Sequence, residues 1–366
     1  MNKFTKAAIA LVTAGALALT GCGNNERDGD GSTDDKKGFD KNAMIGVALP
    51  QKTSENWVLA ENLFKNGLKE AGYQSDVQFA NGGVSEQQNQ IQSMVTKGAK
   101  VIIVGAIDGS QLGTQLKAAK DAGITVIAYD RLVKNTDAVD YYVAYDNFKV
   151  GQLQGKSLLE GLKARKGGKG PWNIELIAGS PDDSNSQIFF DGAMSVLKPE
   201  IDKGTLVVKS KQTSFQQAST QGWKAENAQK RMDTIMSSTY SGNTKLDGIL
   251  SPNDTLARAA MTSVKAAGKD LPVVTGQDSE VESVKSIVAG QQYSTIYKDT
   301  TALVEHTIAM VNNLRDGKKI EINDDKSYDN GNKVVPAYLL KPQIVTKENA
   351  AEVYKNDKQL GPLTKG

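Results

Sequence analysis

The 366-residue chain has one cysteine, Cys22, and one histidine, His306. A single cysteine excludes an internal disulfide and any Cys-x-x-Cys redox or metal site, and a single histidine excludes a site that needs two imidazoles. Charge of one sign is lacking as well: 44 Lys and Arg face 42 Asp and Glu. Lys3 and Lys6 lie in a segment read below as removed, which leaves 42 against 42. That balance lacks the basic surplus of a nucleic-acid binder. The apolar stretch Ala7 to Leu19 is too short to span a membrane as a stable helix. Catalytic signatures are equally scarce. Gly167, Gly168, Lys169 and Gly170 lack the upstream glycine and the following Ser or Thr of a P-loop, no GxGxxG follows the first apolar strand, and no GxSxG elbow occurs. What is present, 39% hydrophobic and 23% charged residues, is enough for two ordinary domains with real cores.

Residues 1–21 read as an export signal: Met1 to Lys6 carry two lysines and no acid, and the short apolar stretch follows. Leu19, Thr20, Gly21 and Cys22 resemble the lipobox of bacterial lipoproteins, in which the cysteine thiol is acylated after cleavage just before it. The only cysteine thus stands where that motif requires one. More than one acyl chain makes such an anchor stable. Residues 22–42 are polar, with Phe39 the only large apolar residue, and are expected to form a flexible tether. Asp28 to Gly31 only faintly resemble a calcium loop, since Thr33 stands where the sharp-turn glycine belongs.

Beyond the tether, strand-length apolar runs alternate with stretches of helical period, the pattern of βαβ units on a parallel sheet. Strands are expected at Met44–Leu49, Val77–Phe79, Val101–Val104 and Thr125–Tyr129, with helices between them ending at Gly72, Gly98 and Gly123. The alternation resumes at Ile174–Ile177, Leu206–Ser210, Gly248–Leu250, Val273–Thr275 and Tyr293–Ile296. The fold class is α/β, with two doubly wound parallel-sheet lobes. A long helix from Thr300 to Arg315 closes the pattern, with His306 off its apolar stripe.

In doubly wound sheets ligands bind beyond the carboxyl ends of the strands. Polar side chains crowd there. Asn56 and Trp57 follow the first strand by one loop, and Asp130 and Arg131 follow Tyr129 directly. Asp182, Asp183 and Asn185 follow the strand near Ile177, Asn253 and Asp254 follow Leu250, Asp278 follows Thr275, Lys298 follows Ile296, and Trp223 opens a helix. A neutral polyol suits this set: carboxylates and carboxamides accept from its hydroxyls, Arg, Lys and Asn donate to them, and an indole covers a C–H face. Taken singly, each Asp or Asn after a strand is often just a helix N-cap.

At these residues the chain resembles the periplasmic-type sugar-binding proteins of ABC importers, the ribose, xylose and galactose class, and within it the multiple-sugar receptors and xylose binders. The resemblance is carried by VIAYDRL (Val126 to Leu132), Tyr145 to Asn147, NIELIAGSPDDSN (Asn173 to Asn185), DGAMSVLKP (Asp191 to Pro199), Gly276 to Thr300 and VVPAYLLKP (Val334 to Pro342). It implies a periplasmic binding protein type I fold without catalysis or cofactor. It further implies stacking by Trp57 and Trp223 and a clamp on adjacent hydroxyls by Asp130 and Arg131. Further contacts are implied from Asn56, Asp183, Asn185, Asn253, Asp278 and Lys298. Two positions depart from the relatives, which usually have arginine at Asn56 and, in the multiple-sugar receptors, tyrosine at Asn253.

The resemblance also implies a hinge near 145–146, 298–299 and 331–335. Lobe 1 would then be 43–145 plus 299–331, and lobe 2 would be 146–298 plus 335–366. The expected ligand is a monosaccharide, with xylose, arabinose, glucose and galactose ahead of ribose and fructose. Expected partners are an ABC permease and its ATPase, and the membrane is met only through the lipid anchor, on the outer face of the cytoplasmic membrane. The chain is expected to act as a monomer. A sensory role beside a chemoreceptor or sensor kinase is the nearest alternative. A DNA-binding repressor on the same core needs an N-terminal helix-turn-helix, where this chain has an export signal. A sugar-converting enzyme needs a flanking carboxylate pair, whereas these carboxylates are interleaved with Arg, Lys and Trp.

Overall fold

The computed structural model describes residues 38–52 and 54–365. The export segment, Cys22 and the tether as far as residue 37 lie outside the described residues. Described residues 38–42 correct the expected tether boundary. Phe39 packs half-buried on the core, its ring 6.3 Å from that of Tyr73, so this end of the segment is docked rather than free.

The chain runs β1 (Met44–Leu49), α1 (Glu55–Glu70), β2 (Gln74–Phe79), α2 (Val84–Thr96), β3 (Val101–Val104), α3 (Gly113–Asp121), β4 (Thr125–Tyr129) and β5 (Tyr141–Tyr145). There follow α4 (Asn147–Lys166), β6 (Trp172–Leu176), α5 (Ser184–Asp202), β7 (Leu206–Val208), α6 (Phe215–Ala218), a 3-10 turn at Gln221–Trp223 and α7 (Ala225–Thr239). The remainder is β8 (Gly248–Leu250), α8 (Asp254–Ala266), β9 (Val273–Val274), α9 (Val281–Val288), β10 (Ser294–Tyr297), α10 (Thr300–Arg315), β11 (Ala337–Leu340), β12 (Gln343–Thr346) and α11 (Ala350–Val353).

One parallel sheet has the order β11-β5-β4-β3-β1-β2 and the other β7-β6-β8-β9. Strands buried on both faces are apolar throughout, as in Val101–Val104, every residue of which is buried. Alternate side chains feed opposite faces: Val101 and Ile103 meet Phe64 and Leu68 of α1 and Val311 of α10, whereas Ile102 and Val104 join Ile91, Met94 and Leu116 of α2 and α3. The second sheet repeats the plan, with Ile174 and Leu176 packed on Leu158 and Leu197 of α4 and α5. Order reverses between β1 and β3 and again between β6 and β8, and a crevice opens at such switch points. Gly72, Gly98 and Gly123 end α1, α2 and α3 with positive φ, as their spacing suggests.

Several elements lie outside the expected alternation. β5, β11, β12 and the 20-residue α4 are additional. α4 escapes the apolar-stripe test because it packs backbone to backbone on α5: a Cβ at Gly151 would lie 2.0 Å from the Phe189 carbonyl oxygen, and one at Gly192 2.3 Å from that of Phe148. The expected third crossing also moves. β11 pairs in parallel with β5, so residues 335–340 join the first sheet rather than the second, and the chain crosses between Leu340 and Gln343. There β12 pairs antiparallel with β10, which hydrogen-bonds onward to β9 through Tyr293 N–H and the Val274 carbonyl (3.0 Å).

Candidate functional site

The cleft between the sheets is built from residues placed just beyond strand ends. Asp130 (φ 60°) and Asp278 (φ 90°) among them, together with Trp223 (φ 55°) in the turn before α7, hold left-handed backbone without being glycine. Such strain costs about 1–3 kcal/mol per residue and persists only where the surroundings fix it. At Asp130 the fixing bonds are visible: its carbonyl accepts from Asn185 Nδ2 (2.8 Å) and Tyr142 Oη (2.7 Å), while its own N–H donates to the Val143 carbonyl (2.8 Å).

Two ionic groups form the belt. Lys298 Nζ, beyond β10, lies 3.1 Å from Asp278 Oδ1 and 3.6 Å from Asp130 Oδ2, with both lysine and Asp278 side chains under a tenth exposed. Besides that ammonium, no donor among the described residues reaches the buried Asp278 Oδ1. Burial raises the Asp278 carboxyl above its usual range, outweighing Lys298. Burial works the other way on Lys298, but Asp130 and Asp278 overcome it and hold its pKa above the ordinary lysine value. In the second group Arg131 Nε lies 3.0 Å from Asp183 Oδ2, an oxygen that also accepts from Trp223 Nε1 (3.1 Å). Arg131 Nη1 donates to the Ala106 carbonyl (3.1 Å), and its guanidinium stands over the Trp57 ring, 5.2 Å from the centroid.

Each tryptophan is seated over a glycine that follows a strand. A Cβ at Gly105 would lie 3.0 Å from Trp57 Cζ3, and one at Gly179 2.2 Å from Trp223 Cη2. Trp57 also makes an edge contact with Tyr129, ring centroids 6.0 Å apart.

The cleft holds two cavities. The inner one, about 260 Å³ including space open to solvent, is lined by Asn56, Trp57, Tyr129, Asp130, Tyr145, Asp278, Lys298, Thr300 and Leu303. The outer one, about 740 Å³ on the same measure, has Arg131, Asp108, Asp182, Gln221, Trp223 and Lys224 in its walls.

Most expected site residues thus converge on the cleft. Asp183 and Asn185 act at its floor: Asp183 Oδ1 caps α5 through Asn185 N–H (2.9 Å), and Asn185 Oδ1 accepts from Asn147 Nδ2 (2.9 Å). Asn56 is on the inner wall, where its carboxamide oxygen accepts from the Ser54 hydroxyl. Asn253 lines neither cavity; it is buried and its Oδ1 caps α8 through Leu256 N–H (3.0 Å). Trp223 sits in a 3-10 turn before α7 rather than opening a regular helix. Asp254 turns into the second lobe, accepting from Gln292 Nε2 (2.8 Å), Thr295 Oγ1 (2.9 Å) and Glu280 N–H (3.0 Å). His306 stacks on Tyr338, centroids 4.2 Å apart. Tyr142 and Asn147 position Asn185; in the sequence apolar neighbours mask the first, and the second stands out only within the passage Tyr145 to Asn147, not as a site residue.

The fold and this cleft define a receptor of two α/β lobes, and the chain belongs to the periplasmic binding protein family, whose domain profile matches residues 45–319. It is 50% identical over 314 residues to the multiple sugar-binding periplasmic receptor ChvE of Rhizobium radiobacter, covering 84% of this chain and 88% of that one. To the D-xylose-binding periplasmic protein of Escherichia coli it is 34% identical over 318 residues, 87% and 91% of the two chains. Among solved structures, an ABC transporter solute-binding protein from Clostridium phytofermentans with bound β-D-glucose superposes with a TM-score of 0.84 at 41% identity, over 88% of this chain and 100% of that one. The fold is accordingly that of a type I periplasmic binding protein.

Proposed function

We propose that the chain captures a monosaccharide between two closing lobes outside the cytoplasm and presents it to an ABC permease. The observation that carries this reading is Asp278 Oδ1, a buried carboxylate oxygen at an inner-cavity wall that no donor among the described residues reaches besides the Lys298 ammonium. A carboxylate oxygen has two lone pairs, and a sugar hydroxyl supplies the second donor that this buried one has room for. Asp130, Arg131 and Lys298 flank it, Trp57 and Trp223 provide apolar faces, and relatives are named for sugars or hold glucose. Glucose and xylose head the panel, followed by arabinose and galactose.

Binding stabilises the closed form because only there do both lobes touch the ligand. Bonds across the cleft outline that form: Ser184 Oγ donates to the Leu132 carbonyl (2.7 Å), Gly109 N–H to the Asp182 carbonyl (3.0 Å) and Val281 N–H to Glu55 Oε2 (2.9 Å). The lobes divide at 145–146, 298–299 and 341–342, and no bond of the sugar is broken. Acylation of Cys22 retains the protein at the membrane, and no helix among the described residues is long and apolar enough to cross one.

Thermal unfolding of the mature chain carrying Cys22→Ser, against the sugar panel, tests the reading. A ligand at 100 times its dissociation constant adds about 2.7 kcal/mol and raises the midpoint, and the sugar is recovered chemically unchanged. A panel in which no sugar moves the midpoint refutes it. Detergent-phase partition of the native chain, lost in Cys22→Ser, tests the anchor.

A further inference from the structure

We propose that Asp254 and Thr295 are positioning residues for the ligand: neither lines a cavity, and together they hold the strained turn that presents Asp278 to the cleft. The inference rests on the reading of the cleft as a sugar site and deepens it.

Asp278 (φ 90°) and Ser279 (φ 55°) are successive residues in left-handed backbone, and neither is glycine. Such a pair relaxes unless its surroundings over-determine it. The determining bonds come from β10 and from Asp254. Asp278 N–H donates to the Ile296 carbonyl (2.9 Å), and Ser279 N–H donates to Thr295 Oγ1 (3.2 Å). That hydroxyl donates its own proton to Asp254 Oδ2 (2.9 Å), an oxygen that also accepts from Glu280 N–H (3.0 Å). Asp254 N–H donates in turn to the Gln277 carbonyl (3.0 Å). One buried residue thus grips the turn on both sides of Asp278, at Gln277 before it and at Ser279 and Glu280 after it, reaching Ser279 through Thr295.

The carboxyl is fixed as firmly as the turn it grips. Asp254 is fully buried, and Gln292 Nε2 donates to its Oδ1 (2.8 Å). A Cβ at Gly276 would lie 2.0 Å from that same oxygen, so the residue before the turn has to be glycine for the carboxyl to come this close. Ser279 is held from the other side by Tyr354, whose hydroxyl donates to Ser279 Oγ (2.6 Å). β10 also leads into Lys298, whose ammonium lies 3.1 Å from Asp278 Oδ1, so one strand sets the acceptor and its cation in common register. Beyond the turn, Val281 N–H donates to Glu55 Oε2 across the cleft (2.9 Å). A relaxed turn would therefore misplace the ligand contact and the cross-cleft contact together.

The test is calorimetric titration of the mature chain carrying Cys22→Ser with glucose, xylose, arabinose and galactose, repeated in variants of the bracket. Thr295→Val keeps the side chain's shape and removes the hydroxyl. It is expected to weaken binding at least about fivefold, the worth of one net hydrogen bond, and Thr295→Ser to recover most of the loss. Gly276→Ala, which pushes on the Asp254 carboxyl, is expected to act in the same direction. Each variant is first checked for a cooperative thermal transition, and Thr295→Val decides where Gly276→Ala does not fold. A bracket that only stabilised its lobe would lower the melting temperature of the ligand-free chain and leave affinity alone. An affinity that stays within about twofold of native in folded Thr295→Val therefore overturns the proposal. A cycle with Asp278→Asn isolates the route: in that background Thr295→Val is expected to weaken binding less than about twofold, because the group it positions is already altered. An equal loss in both backgrounds overturns the proposal as well. If the native chain binds none of the four sugars, the sugar-site reading fails and takes this proposal with it, an outcome distinct from native binding that Thr295→Val leaves intact.

Discussion

The hydroxyl of Tyr145 donates to the carbonyl of Asp299 across 3.1 Å, tying the end of β5 to the start of α10. Both residues stand where the chain passes between the sheets. The third passage is joined to them by Asp146 N–H, which donates to the Leu340 carbonyl (3.2 Å). Asp146 and Asp299 each cap the helix that follows, α4 and α10, so the strands of the proposed hinge lead directly into helices. Tyr145→Phe removes one buried bond, with an expected loss of about 1 kcal/mol in stability. Sugar affinity is expected to change while the number of sites stays at one, read by calorimetry and thermal unfolding in parallel. An unchanged affinity would show that this bond is indifferent to closure.

Glu55 supplies a contact across the cleft that touches no cavity wall. Its Oε2 accepts from Val281 N–H at the start of α9 (2.9 Å), so the carboxylate meets the positive end of that helix. Glu55→Ala is expected to weaken sugar binding about twofold to fivefold, mainly through faster release, since such end-of-helix interactions contribute about 0.3–1 kcal/mol. Stopped-flow dissociation measures this. The ligand-free melting temperature is expected to stay put if the contact forms only on closure.

The two indole seats differ in tightness, which makes a paired experiment possible. Gly179→Ala places a methyl 2.2 Å from Trp223 Cη2 and 2.5 Å from Ser186 Oγ, so the ring must move. Gly105→Ala brings its methyl only to 3.0 Å from Trp57 Cζ3. Gly179→Ala is expected to cost at least tenfold in sugar affinity, about 1.4 kcal/mol, and Gly105→Ala clearly less. The reverse order would show that Trp57, not Trp223, is the more exacting of the two faces.

Four buried carboxyls, Asp183, Asp254, Asp278 and Glu280, are all raised, with burial the leading cause. Their folded pKa values exceed the unfolded ones, so between the ordinary carboxylate range and the raised values the folded chain holds more protons. Stability therefore increases as pH falls through that window and declines as pH rises through the raised values. Below it the exposed Asp137 and Glu282, lowered by Lys120 and Lys285, act in the opposite sense. The melting temperature of the ligand-free chain is expected to climb as pH falls through the raised values toward the ordinary carboxylate range, and Asp278→Asn to flatten that climb. A midpoint that falls steadily over the same interval would contradict the burial of these groups.

Parallel-sheet strands were readable because double burial leaves apolar runs with glycine stops, and the strand ends then gave Asp130, Arg131, Asp278 and Lys298. Hidden elements failed for physical reasons. In α4, Gly151 and Gly155 replace the apolar stripe with close backbone approach to α5, a contact that leaves no periodic signal. β11 returns from α10 across a long loop to pair with β5, so only the tertiary structure assigns it to the first sheet. The positive φ of Trp223 and the shared position of Lys298 between two carboxylates are likewise properties of assembled space, not of spacing along the chain.

The glycine seam between α4 and α5 has a mechanical consequence. With Gly151, Gly155 and Gly192 bringing the two backbones into direct contact, no layer of pliable side chains separates the helices there, and shear between them would drive main chain into main chain. In the proposed closure the second sheet and this helix pair are therefore expected to turn as one stiff plate, with α4, capped at Asp146 where the chain leaves β5, as the lever arm. A rotation of a few backbone dihedrals at that aspartate is then expected to carry the whole plate, so that a small torque at the crossing reaches the far rim of the cleft.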